Sequence, residues 1–148
     1  MARGRFTYTM DAKGRVAMPQ LMRDEVKPQG ARPPVLTNFP GVPAIAVYSA
    51  QDWDEIESRI KGMSQMQPEL QMLSRLMISG AFDCDFDGQG RLTIPADLRE
   101  YAGLQRDVTL AGIGKRIEIW DKARFEREVA TAKDRGPELA RGVADLGL

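Results

Sequence analysis

Apolar and polar positions alternate from Phe6 through Thr7, Tyr8 and Thr9 to Met10, the two-residue period of a half-buried strand. Residues 11–14 read as a turn, because an aspartate side chain bonds the backbone ahead of it and Gly14 tolerates positive φ. Residues 15–18 resume a strand with Val16 and Met18 inward. Pro19 suits the first turn of a short helix that runs to Val26 and is closed by Lys27-Pro28. Strands over Val35–Phe39 and Ala44–Tyr48 flank a Pro-Gly-Val-Pro turn. Ser49 caps a helix whose Trp53, Ile56, Ile60 and Met63 share one face. Residues 65–68 interrupt it, and residues 69–78 form a second helical stretch with Leu70, Leu73 and Met77 on one side.

The pattern then starts again. Phe82, Cys84 and Phe86 alternate with Asp83 and Asp85, residues 87–90 turn, and residues 91–94 return. Pro95 opens a helix over residues 96–102 that Gly103 stops. Strands over residues 108–111 and 117–120 precede a helix capped by Asp121, with Phe125, Val129 and Ala132 on one face. The text itself repeats. Asp11-Ala-Lys-Gly-Arg-Val-Ala-Met-Pro19 returns 76 positions later as Asp87-Gly-Gln-Gly-Arg-Leu-Thr-Ile-Pro95, and Arg23 meets Arg99 in that register. A duplicated unit fixes the architecture. The expectation is a β-rich α+β chain: a first repeat over residues 1–61, a helical connector over 62–79, a second repeat over 80–134 and a loosely held tail over 135–148. Strand pairs this short do not bury a core alone, so the halves interleave about a pseudo-two-fold axis.

Composition narrows the function classes. Lys+Arg and Asp+Glu are 21 each, so the global charge says nothing of nucleic acid, but residues 1–32 carry seven cations against three acids. Histidine is absent, which removes the commonest acid–base group and metal ligand. One cysteine allows no internal disulfide, and no signal-peptide core or membrane-length apolar run is present, so the reading is cytoplasmic. Cys84 lies on the apolar face of its strand and reads as a buried small hydrophobe. Tyr48, Trp53, Trp120 and Phe125 read as core, and Asp52, Asp54, Glu55 and Glu57 favour a helix N-terminus rather than forming a catalytic pair. No catalytic residue, metal site, cofactor or small-molecule substrate is expected.

The first motif copy carries the candidate chemistry. Strand alternation puts Arg15 outward beside Lys13 in the turn, and Arg3 and Arg5 are expected on the strand that pairs with it. Cations on a β-ribbon contact phosphates and enter a major groove, where arginine reads guanine O6 and N7. The same Asp-x-x-Gly-Arg text also fits a plain surface turn in which Asp11 pairs with Arg15. Residues 3–15 hold four cations against Asp11, whereas residues 79–91 hold Arg91 against three aspartates. A polyanion should therefore meet the first copy; the second is weighted towards scaffold or assembly, with Arg91 a contributor.

The paired motifs, the continuation Ala-Asp-Leu-Arg-Glu-Tyr-Ala-Gly-Leu104 and Ile117-Glu-Ile-Trp-Asp-Lys122 are similar to the MraZ family of bacterial regulators, from about Arg3 to about Glu128. The resemblance implies two AbrB-like swapped-hairpin halves forming a β-barrel with flanking helices. It implies sequence-specific binding of double-stranded DNA at repeated promoter sites of the division and cell-wall gene cluster. It further implies a ring-shaped homo-oligomer, nucleoid-associated, with no membrane contact. The family's Asp-x-x-x-Arg motif maps onto Asp11/Arg15 and Asp87/Arg91, with Lys13 as its usual basic residue and a neutral Gln89 at the second position. Gly14, Pro19, Gly90 and Pro95 are its structural members. The other reading is an antitoxin-type protein-binding module, which shares the N-terminal phrase. Two copies and a folded second half argue against it. An enzyme has nothing visible to support it.

Overall fold

The computed structural model describes residues 1–63 and 66–148. Strand β1 (Arg5–Thr9) leads through the first turn to β2 (Arg15–Ala17) and helix α1 (Gln20–Val26). Strands β3 (Val35–Phe39) and β4 (Ala44–Tyr48) and helix α2 (Ala50–Gly62) complete the first half. Helix α3 (Pro68–Leu73) runs directly into a π-helical turn (Ser74–Ile78). The second half repeats the order: β5 (Phe82–Asp83), β6 (Arg91–Thr93), α4 (Ala96–Tyr101), β7 (Asp107–Ile113), β8 (Arg116–Asp121) and α5 (Lys122–Asp134). A final helix, α6 (Gly136–Asp145), follows.

The halves exchange strands. All pairings are antiparallel, in a six-stranded sheet ordered β1-β7-β8-β4-β3-β5 and a separate ribbon β2-β6. β1 of the first half pairs with β7 of the second, and β5 of the second pairs with β3 of the first. In the ribbon, Val16 faces Leu92, its own counterpart 76 positions on, so the pseudo-two-fold axis passes through this pair. At the sheet centre Ile45, Ala46 and Val47 face Ile119, Glu118 and Ile117.

Each sheet face holds a core. On one, Leu36, Ile45, Val47, Val108, Leu110, Ile117 and Ile119 pack against Val16, Met18, Leu92 and Ile94 of the ribbon and against α1 and α4. On the other, Tyr48, Trp53 and Ile60 pack with Met77 of the π turn. Both long helices are capped as their sequences expect, by Ser49 accepting from the Asp52 N–H and by Asp121 accepting from the Arg124 N–H.

Several expectations change. The barrel is not closed, because β1 and the two-residue β5 end the sheet as edges and the ribbon stands apart. β1 does not pair with β2. Two backbone bonds, Asp11 N–H to Arg15 C=O and Gly14 N–H to Asp11 C=O, close the turn, and then the strands separate into different sheets. Phe6 is 40% exposed because its strand lies at the sheet edge. The strand predicted through Phe86 stops at Asp83, although Cys84 still donates its N–H to Pro34 and packs against the core. Burial pushes the Cys84 thiol up to about 11, with the Asp83 charge adding to it, so the thiolate is disfavoured. Phe125 is half-buried rather than core, edge-on to Trp120. Met63 follows α2 as its C-cap and is exposed. The predicted break at Gln65 lies outside the described residues. The tail holds α6, with Pro137 in its first turn.

Candidate nucleic-acid interface

The two turns have one construction. The Asp11 carboxylate accepts from the backbone N–H groups of Lys13 and Arg15, and its second oxygen accepts from Arg15 Nε at 2.5 Å. Asp87 does the same for Gln89 and Arg91, with Arg91 Nε at 2.9 Å. The ion pair foreseen as the plain-turn reading is therefore present in both copies. It also fixes each guanidinium. The Nε–H is used, while the Nη1 and Nη2 donors, the edge that reads a base or phosphate in two bonds, stay available.

The ribbon sets the two arginines relative to each other. Val16 and Leu92 point into the core, so Arg15, Ala17, Arg91 and Thr93 share the opposite, solvent-facing side. Arg15 lies opposite Thr93 and Arg91 opposite Ala17, a diagonal of about 8 Å between Cα atoms from ordinary strand rise and spacing. A two-stranded ribbon of this width fits a major groove about 12 Å across.

Two further arginines belong to this surface. Gly14 has φ +80 and Gly90 φ +74, a left-handed turn conformation that favours glycine. A side chain at Gly14 would also meet the Arg99 guanidinium at 2.9 Å, and one at Gly90 would overlap that of Arg23. Each half thus lays an arginine from its helix across the other half's turn. Arg23 Nη1 donates to the Met18 carbonyl, whereas Arg99 Nε is buried without a hydrogen-bond partner. The repeat register pairs Arg23 with Arg99, but only the exchange of strands reveals that each crosses to the opposite turn.

Arg3 and Arg5 do not join this surface. Arg5 sits four residues before Thr9 on β1, about 13 Å from that end of the strand, and its guanidinium lies over the Phe125 ring at 5.5 Å to the centroid. Arg3 precedes it, beside the bridge between Ala2 and Gly114. The charge difference between the turns shrinks accordingly. Asp83 is on the β5 edge and Asp85 pairs with Lys27 at 2.6 Å, so neither lies in the second turn. What remains is Lys13 against Gln89, with Arg106 lining a cleft beside the first turn only. Pro19 and Pro95 stand at the N-caps of α1 and α4, with φ near −57, and start both helices behind the ribbon.

The aspartates respond to this geometry. Asp11 is held below the ordinary 3.8, first by the Arg15 backbone N–H and then by its side chain and the Lys13 N–H. The Arg91 backbone N–H, then those of Gln89 and the Arg91 side chain, depress Asp87 likewise. A carboxylate depressed in the folded state stabilises above its unfolded value and loses that contribution as pH falls through the folded one. The turns should therefore keep their arginines oriented as pH falls past 3.8 and release them only as it passes through the lower folded-state values. Carbon-detected NMR titration should give both carboxyls midpoints below 3.8, and midpoints at or above that value would contradict the turn hydrogen bonds.

Among the described residues no helix is long and apolar enough to cross a membrane. The family model described as "MraZ protein, putative antitoxin-like" matches the chain twice, over residues 1–76 and 77–139. The transcriptional regulator MraZ of Nitrosomonas eutropha is 39% identical over 132 residues, 89% of this chain and 88% of that protein. Its namesake from Thermoanaerobacter sp. is 33% identical over 148 residues, the full length of both chains. That of Syntrophobacter fumaroxidans is 35% identical over 146 residues, 99% of this chain and 96% of that protein. With two matched repeats and relatives similar along nearly their whole length, this chain belongs to the MraZ family.

Proposed function

We propose that the protein is a DNA-binding transcriptional regulator that reads double-stranded DNA with the outer face of the β2–β6 ribbon. The observation that carries this is the symmetric pair Arg15 and Arg91 on one face of the ribbon, each anchored at Nε by a turn aspartate and about one-third exposed. The relatives' printed name, transcriptional regulator, supports the class. Lys13, Arg23, Arg99 and Arg106 supply phosphate contacts around the ribbon, weighted to the first turn. Arg3 and Arg5, first expected beside the turn, reach only flanking backbone. The halves, read as repeats over residues 1–61 and 80–134 joined by 62–79, form an AbrB-like swapped-hairpin body. The targets are repeated promoter sites of the division and cell-wall gene cluster. A ring of copies engages them together, since linked sites raise avidity through effective concentration. The protein works in the cytoplasm, on the nucleoid, without cofactor.

Salt dependence tests the electrostatic part. The logarithm of affinity should fall linearly with the logarithm of salt, and Lys13→Ala should reduce the slope by about one. A slope unchanged by Lys13→Ala would remove the first turn from the interface. The word antitoxin in the family description favours one other reading, a protein-binding module; co-purification of a small toxin with the full chain in place of DNA binding would select it.

A further inference from the structure

The two halves do not give their crossing arginines the same surroundings. Arg23 of α1 lies against Gly90 in the second turn, and Arg99 of α4 against Gly14 in the first. Arg23 is tied within the chain. Its Nη1 donates to the Met18 carbonyl at 2.8 Å and its Nη2 to Gln20 Oε1. Gln20 is held in turn, because its Nε2 donates to Asp24 Oδ1 at 2.8 Å and so leaves the amide oxygen to face the guanidinium.

The 76-residue register carries Gln20 to Ala96, again the first residue of a Pro-started helix, and Asp24 to Glu100. Alanine has no carboxamide, so the second half lacks this clasp. Among the described residues no side-chain donor of Arg99 meets an acceptor. Its Nε is buried, so that donor has lost water without gaining a partner. A cation left partly dehydrated and unpaired draws an anion more strongly than a hydrated one does.

The turn residues add to the difference. Exposed Lys13 precedes Gly14, whereas neutral Gln89 precedes Gly90. The first turn thus brings an untied arginine and a lysine to one glycine, and the second brings a tied arginine and an amide. An arginine with open donors beside a lysine suits an oxyanion with several acceptors, which a phosphodiester supplies.

We propose that Arg99 and Lys13 form a seat for a backbone phosphate at the first turn, and that Gln20 denies the second turn an equal seat by holding Arg23. Arg23 stays on the interface with two of its donors spent. The occupant rests on the DNA-binding reading above. The inequality goes beyond it, because it is assigned to residues 20 and 96, which lie outside both motif copies.

Two measurements on the full chain test this. In arginine side-chain NMR of wild type, added inorganic phosphate should shift the Arg99 Nε signal and leave that of Arg23 in place. A titration that moves both alike, or neither, would overturn the seat. In the second, the salt dependence of affinity for duplex DNA is compared. Arg99→Gln should lower the slope by about one and Arg23→Gln by little. In a Gln20→Ala/Ala96→Gln background the two losses should change places, with unchanged melting, since residues 20 and 96 are exposed. Equal losses, or an order that survives the exchange, would overturn the proposal and leave the DNA reading standing. A chain that binds no DNA, yet shows a phosphate shift confined to Arg99, would keep the seat and remove the DNA reading.

Discussion

Leu92→Asp should unfold both halves together. Leu92 is 1% exposed, faces Val16 across the pseudo-two-fold axis, and packs in the cluster that joins the ribbon, α1, α4 and the central strands. An unpaired carboxylate there has no partner, and burying one costs several kcal/mol or more. The net stability of a domain is about 5–15 kcal/mol. The milder Leu92→Ala should cost about 2–5 kcal/mol through lost transfer energy and the cavity left behind. At about 2–4 °C per kcal/mol for chains near this size, Tm should fall by roughly 5–20 °C. Because β1 and β5 sit in the opposite halves' edges, the halves share one core and neither melts alone. Circular dichroism should show a single, lowered transition. A two-step melt that loses only the second half would contradict the shared core.

How far the chain could be read in advance follows from what each signal depends on. The apolar alternation of β1, the caps Ser49 and Asp121 and the Pro-started helices α1 and α4 are local, and the residues announce them. The 76-residue repeat announces a pseudo-two-fold axis, and the structure passes it between Val16 and Leu92. Strand partners were not legible. Residues 5–17 look like a hairpin, yet β1 pairs with β7 and β2 with β6, long-range choices that local alternation does not carry. Strand exchange places Arg5 away from the turn that the sequence sets it beside, and it is also what lays Arg23 and Arg99 across the turns. The difference between the motif copies is smaller on the surface than along the chain, since Asp83 and Asp85 lie away from the second turn. The π turn is invisible in the sequence because its apolar spacing resembles that of an α-helix. α6 leaves little mark in the sequence because, among the described residues, it contributes nothing to the core.

The ribbon face makes the second large prediction. Arg15 and Arg91 are each about one-third exposed and pair only with their own turn aspartates, so removing either should leave the fold intact. A bidentate arginine contact to a base carries about 1–3 kcal/mol, roughly 5–150-fold in affinity. Arg15→Ala should lose the full amount, because Lys13, Arg99 and Arg106 surround that turn with positive charge. Arg91→Ala should lose less, with neutral Gln89 in the place of Lys13.

The most direct measurement is fluorescence anisotropy of the full chain on duplex DNA carrying the repeated promoter sites, at low salt, for wild type, Arg15→Ala and Arg91→Ala. All three proteins should melt at the same temperature and retain the same mass. The expected order of affinity is wild type, then Arg91→Ala, then Arg15→Ala, with at least a fivefold loss for the last. Equal affinity of wild type and Arg15→Ala would contradict the ribbon as the surface that meets DNA.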